Sequence, residues 1–236
     1  MDSVFFVFEM IGVVAFALSG AMWAIRNEMD VLGVCVLGAT TAVGGGILRD
    51  LMLGITPPTM LVNPTAALIA VGVSVLVFLP FTQRLLRGSS HLIYERLMLL
   101  ADSIGLTVFT VMGVNVGSAR LETQSIFACS FLGVLTGVGG GVMRDVMSRS
   151  KPYIFVKHFY ACAAIIGALV CAVLNRVFGE LLATVIGFVL ILTLRLLAAT
   201  FHWRLPKYTV KQTANKRMPK TTVDLQNSKK ESIKNK

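Results

Sequence analysis

Two short runs hold the residues best placed to do chemistry. Gly44-Gly45-Gly46-Ile47-Leu48-Arg49-Asp50 and Gly139-Gly140-Gly141-Val142-Met143-Arg144-Asp145 each set an Arg-Asp pair just after three glycines, inside apolar sequence. A threonine, Thr41 or Thr136, stands ahead of each triplet. Each glycine costs a plain helix about 1 kcal/mol relative to alanine. In a membrane such a run is tolerated where backbones pack closely, or where freed polar groups line a cavity. Both readings are open. In the second, a broken helix would aim the carbonyls of Ala42, Val43, Gly137 and Val138 into the gap. The amides of Gly46 and Gly141 would face it from the other side. Carbonyls suit a dehydrated cation, and amides suit a carboxylate. The break therefore permits a cation pore or an amino-acid site.

Two acids, Glu9 and Asp102, stand alone in apolar stretches. Arg49 and Asp50 are neighbours, so on a helix their side chains diverge. Charges inside a membrane pair or line water. The expected pairs are Glu9 with Arg49 and Asp102 with Arg144. The alternative is that both arginines snorkel to the interface. The hydroxyls of Thr41 and Thr136 could line a path, or bond back to their own helices. Ser19, Ser103 and Thr107 are weaker candidates of the same kind. Arg195 pairs or snorkels, with no function assigned. His91, His158 and His202 are scattered. Cys35, Cys129, Cys162 and Cys171 lie in apolar sequence without CxxC pairing and read as packing residues. No catalytic or metal-ligating constellation recurs, so neither an enzyme nor a cofactor is expected.

The elements that must position these residues are membrane spans. Of 236 residues, 55% are hydrophobic and only 14% charged, with a mean hydropathy of +0.76. A soluble domain carries about 25% charged residues. A helix needs about 20 apolar residues to cross about 30 Å of hydrocarbon. Seven stretches qualify, at about 5–25, 31–53, 61–81, 93–116, 123–147, 158–178 and 181–201. The fold class is thus an all-α integral membrane protein with seven transmembrane helices. Met1-Asp2-Ser3 lacks the positive start of a signal peptide, so the first stretch reads as a span. Arg26, Arg84, Arg87, Arg96, Arg149, Lys151, Lys157 and the C-terminal tail flank alternate span ends. Basic loops face the cytoplasm, which puts the N-terminus outside and the C-terminus inside. The tail from Arg204 to Lys236 holds ten Lys/Arg against two acids, most of the net +10. Such a tail suits anionic lipid rather than nucleic acid, which would need a basic folded face.

The glycine–Arg-Asp run is part of a duplication. Residues 38–52 return at 133–147 with a constant offset of 95. A weaker echo relates 9–16 to 102–109 at an offset of 93, and Gly20 to Gly113. The unit is three helices, and three is odd, so the second copy enters the membrane from the other side. Inverted repeats of this kind build transport proteins, with the site at the repeat interface. The bland alternative is a duplication that only makes a stable bundle. The expected layout is one transmembrane domain at 1–206, with repeats at about 4–82 and 92–178 and a seventh helix at 181–201. A basic, disordered cytoplasmic tail follows at 207–236.

The doubled GGGxxRD, the first-helix segment from Ile11 to Gly20, Arg195-Leu196-Leu197-Ala198-Ala199 and His202-Trp203-Arg204-Leu205-Pro206 together resemble one family. It is the bacterial branch of the trimeric intracellular cation channels, also described as a glycine transporter domain family. The resemblance covers about residues 4–206. It implies a three-plus-three inverted repeat plus one helix. It implies a homotrimer in a bacterial inner membrane, with a pore in each subunit. The pore or binding residues would be Thr41, Gly44, Gly45, Gly46, Arg49, Asp50, Thr136, Gly139, Gly140, Gly141, Arg144 and Asp145, flanked by the acids Glu9 and Asp102. The implied permeant is a monovalent cation, potassium above all; for some bacterial members it is glycine. The regulation of the animal members, which carry a different basic motif, does not transfer. Glu9 departs from the Asp frequent in relatives. A third reading, from the residues alone, is a membrane structural or lipid-binding protein that works through its tail.

Overall fold

The structure, a computed structural model, describes residues 2–80, 82, 91–122, 125–152, 159–201 and 203. Among them the chain forms eight helices: α1 (Asp2–Arg26), α2 (Val31–Met52), α3 (Thr59–Val62), α4 (Thr65–Phe78), α5 (His91–Arg120), α6 (Ile126–Met147), α7 (Tyr160–Phe178) and α8 (Glu180–Thr200). Six of these are long and apolar enough to cross a membrane. Their outer faces carry large exposed apolar side chains, such as Phe6, Leu32, Leu68, Phe127, Leu169 and Val189. In water such a surface would aggregate. Against lipid it is the natural exterior.

Local chemistry sets the ends. Asp30 accepts the amide of Gly33 at 2.7 Å and so starts α2. Gly54, with φ +70°, and the Pro57-Pro58 turn stop the chain beyond α2. Gly179, with φ +84°, joins α7 directly to α8.

One expected span differs. Of the expected span 61–81, residues 61–80 do not form a single long helix. Asn63-Pro64 divides them into the end of α3 and the 14-residue α4. Pro64 has no N–H to continue α3, and the Asn63 side chain accepts from the amide and hydroxyl of Thr65 at 3.2 and 2.6 Å. Among the described residues six helices, against the seven expected, have the length and apolarity to cross alone, with a shorter apolar helix in third place. The fourth is longer than expected, at 30 residues. Arg84, Arg87, Lys157, His158, His202, the segment 204–206 and the tail at 207–236 lie outside the described residues.

The core sits where α1, α2, α5 and α6 pack. Phe16 and Phe109 stack at 5.3 Å between centroids, with Val13, Ala17, Leu106 and Val138 around them. The two halves repeat their contacts. A Cβ on Gly20 would meet Thr41 Oγ1 at 2.6 Å and Gly38 Cα at 2.9 Å. A Cβ on Gly113 would meet Thr136 Oγ1 at 2.6 Å and Gly133 Cα at 2.8 Å.

Candidate functional site

The glycine triplets face one another. A Cβ on Gly45 would fall on the carbonyl oxygen of Thr136, and a Cβ on Gly140 would fall on that of Thr41. Glycine is therefore required at both positions for α2 and α6 to cross at this separation. Both helices run unbroken through their triplets. The broken-helix expectation is corrected: the carbonyls of Ala42, Val43, Gly137 and Val138 lie within continuous helix. The physical reason is that a helical hydrogen bond lost in a dry interior has no water to replace it. The missing side chains serve close packing instead. Thr41 and Thr136 donate to Leu37 O and Leu132 O, each at 2.6 Å. Their hydroxyl protons are committed to their own helices. The other glycines are covered: Gly44 by Met143, Gly46 by Met60, and Gly139 by Leu48 and Gly45. Gly141 faces the Tyr160 hydroxyl.

On the first-half side, Arg49 pairs with its own neighbour. Its Nε and Nη2 approach Asp50 Oδ1 at 2.8 and 2.7 Å. Both residues are buried. Asp50 Oδ2 also accepts the amide of Thr59 at 2.8 Å, and its hydroxyl, so this carboxylate fastens α3 to the end of α2. The expected Glu9–Arg49 pair is absent among the described residues. Adjacency does not forbid the Arg49–Asp50 contact, because the long arginine stem folds back along the helix once burial removes the option of water.

On the second-half side the expected Asp102–Arg144 pair is present at 2.7 Å. Arg144 also donates to Asp145 Oδ1 at 2.9 Å and to Ser19 Oγ at 2.7 Å. Its guanidinium lies 5.5 Å from the centroid of Trp23, whose Nε1 donates to Ser148 Oγ at 2.8 Å. Arg195 of α8 joins the group. Its Nη2 lies 3.6 Å from Asp102 Oδ2, and its guanidinium sits 4.5 Å over the Tyr160 ring. The four charged residues are nearly inaccessible: Asp102, Arg144 and Asp145 are 1% exposed and Arg195 3%. Two arginines balance two aspartates, the condition under which buried charges are tolerated. Sequence reasoning left Arg195 without a role and did not single out Tyr160, Trp23 or Ser148. The lone arginine in a span was the available signal, since such a charge needs an anion.

A polar cavity of about 260 Å³ lies elsewhere, at the end of α5 and the α7–α8 junction. Asn115, Asn175, Arg176 and Glu180 line it. Asn115 is held there by Thr184 at 2.7 Å and by Asn175 at 3.1 Å. Among the described residues no cluster of His, Cys, Asp and Glu could hold a metal ion.

A family model described as "Glycine transporter" matches residues 6–81 and 99–176. The inner membrane protein YadS of Escherichia coli is 38% identical over 204 residues, covering 86% of this chain and 95% of its own. A membrane protein of Deinococcus radiodurans is 38% identical over 200 residues, covering 84% and 89%. Among solved structures, a TRIC cation channel studied for conductance is 36% identical, with a TM-score of 0.77 over 89% of this chain and 100% of that one. The trimeric intracellular cation channel orthologue of Rhodobacter sphaeroides is 31% identical, with a TM-score of 0.77 over 85% and 100%.

Proposed function

Since this chain belongs to the bacterial branch of the trimeric intracellular cation channel family, we propose that it is a passive route for monovalent cations, potassium foremost. It works as a homotrimer in a bacterial inner membrane, each subunit carrying its own route. The names of the solved relatives, which are cation channels, and of an inner membrane relative support this reading. The layout is a three-plus-three inverted repeat with α8 added, in which α3 and α4 together make the third crossing. The N-terminus is outside and the basic tail inside.

One observation carries the reading. Equivalent stretches from the two halves meet backbone to backbone at Gly45 and Gly140, with a buried Arg-Asp pair beyond each triplet. The route is framed by Thr41, the two triplets and those pairs, and it is closed where the glycines touch. Opening separates or bends α2 and α6 at the residues whose helical conformation is cheapest to give up.

A second reading, transport of glycine or another small amino acid, draws on the polar cavity. Arg176 and Glu180 would offer opposite charges to a zwitterion there. Full-length protein in planar bilayers and in liposomes separates the two. Potassium currents at rates beyond a carrier's range support the channel. Saturable glycine counterflow without such currents supports the transporter and overturns the channel.

A further inference from the structure

The buried group around Asp102 is balanced in charge and incomplete in hydrogen bonding. Asp102 Oδ1 takes Arg144 at 2.7 Å. Its other oxygen, Oδ2, accepts no hydrogen bond, and the nearest cation, Arg195 Nη2, stops at 3.6 Å. Arg195 Nε and the Tyr160 hydroxyl are likewise buried without hydrogen-bond partners. A carboxylate and guanidinium this deep would be expected to close to about 2.7–2.9 Å. Leaving buried polar atoms unmatched is costly. Arg195 is instead held by the face of Tyr160, 4.5 Å from the ring centroid, an attraction that leaves its Nε–H without a hydrogen-bond partner. It comes from α8, which lies outside the duplicated sequence.

The geometry points to Arg195 as a built-in cation that competes with the permeant ion for Asp102 Oδ2. With Arg195 in place, the four buried charges sum to zero and Asp102 offers no net attraction. With Arg195 swung away, the group carries one net negative charge. Asp102 Oδ2 and the Tyr160 hydroxyl then present two free oxygens to a partly dehydrated cation. Arg195 would thus set how much potassium the route needs before it conducts. This inference rests on the cation-channel reading.

The test is single-channel recording of the full-length protein in planar bilayers over a range of potassium chloride concentrations. R195Q and R195M both remove the charge; the second leaves an apolar stem, a replacement that buried ion sites often accept. In either variant the half-saturating potassium concentration should fall about fivefold or more, with larger currents at low salt. R195K, which keeps the charge, should stay close to the wild type. Unchanged half-saturation in both neutral variants overturns the proposal. So does failure of both to assemble while R195K assembles, which would assign Arg195 to folding alone. Absence of potassium current in the wild type would instead sink the channel reading itself.

Discussion

Phe16 and Phe109 lie ring on ring, 5.3 Å between centroids and 14° between planes, at positions the duplicated sequence makes equivalent. Each ring also covers a glycine of the other half: Gly12 faces Phe109 and Gly105 faces Phe16. One aromatic pair thus fastens α1 to α5. F16A should cost about 3–5 kcal/mol of stability. F16A/F109A should cost less than the sum of the singles, by about 0.5–1.5 kcal/mol. Equilibrium unfolding in detergent micelles checks both. Strict additivity would mean that the stack contributes no interaction of its own.

The helix crossing makes a second prediction. Even a methyl group at Gly45 or Gly140 overlaps a backbone oxygen, which cannot rotate away as a side chain does. G45A and G140A should each destabilise by about 1–3 kcal/mol. G45L and G140L should abolish cation flux while membrane insertion is retained. Normal flux in both leucine variants would remove the crossing from the conduction route.

Removing one member of a buried charged group strands the others. D102N should destabilise by about 3–5 kcal/mol. R144Q should do the same, and D102N/R144Q should cost less than the sum. Thermal unfolding of the purified protein measures all three. If the double mutant were fully additive, the 2.7 Å contact would carry no coupling.

The acids of the first half should differ sharply. Asp50 holds Arg49 and the start of α3, whereas Glu9 is half-buried and joins them by no hydrogen bond or ion pair among the described residues. D50N should cost about 3 kcal/mol or more. E9Q should stay within about 1 kcal/mol. Limited proteolysis near residues 53–58 should report loosening of α3 in D50N only. Equal losses in the two variants would restore a structural role for Glu9.

Much of this arrangement was legible in the sequence. Runs of about 20 apolar residues placed six of the helices within a few residues. Asp102, alone in an apolar span, called for a cation, and Arg144 was the one expected, with snorkelling as the alternative. The glycine triplets were legible as special but ambiguous in effect. Helix propensity alone argues for a break, and only the position of the facing helix shows that the missing side chains admit Thr41 and Thr136. The Arg49–Asp50 pair was hidden by a rule about Cβ directions that a four-atom stem evades. The Arg195–Tyr160 contact was hidden because Arg195 lies outside the duplication and the two residues meet only through tertiary packing. Asn63-Pro64 was passed over because hydropathy averages across it.

The brevity of α4 has an electrical consequence. Fourteen residues rise about 21 Å, against about 30 Å of hydrocarbon. On that flank either lipid thins toward the protein or water reaches inward over the helix ends. Wherever the membrane narrows in that way, the applied voltage would drop across a thinner septum, and a charge moving beside α4 would feel a steeper field than one moving beside α5.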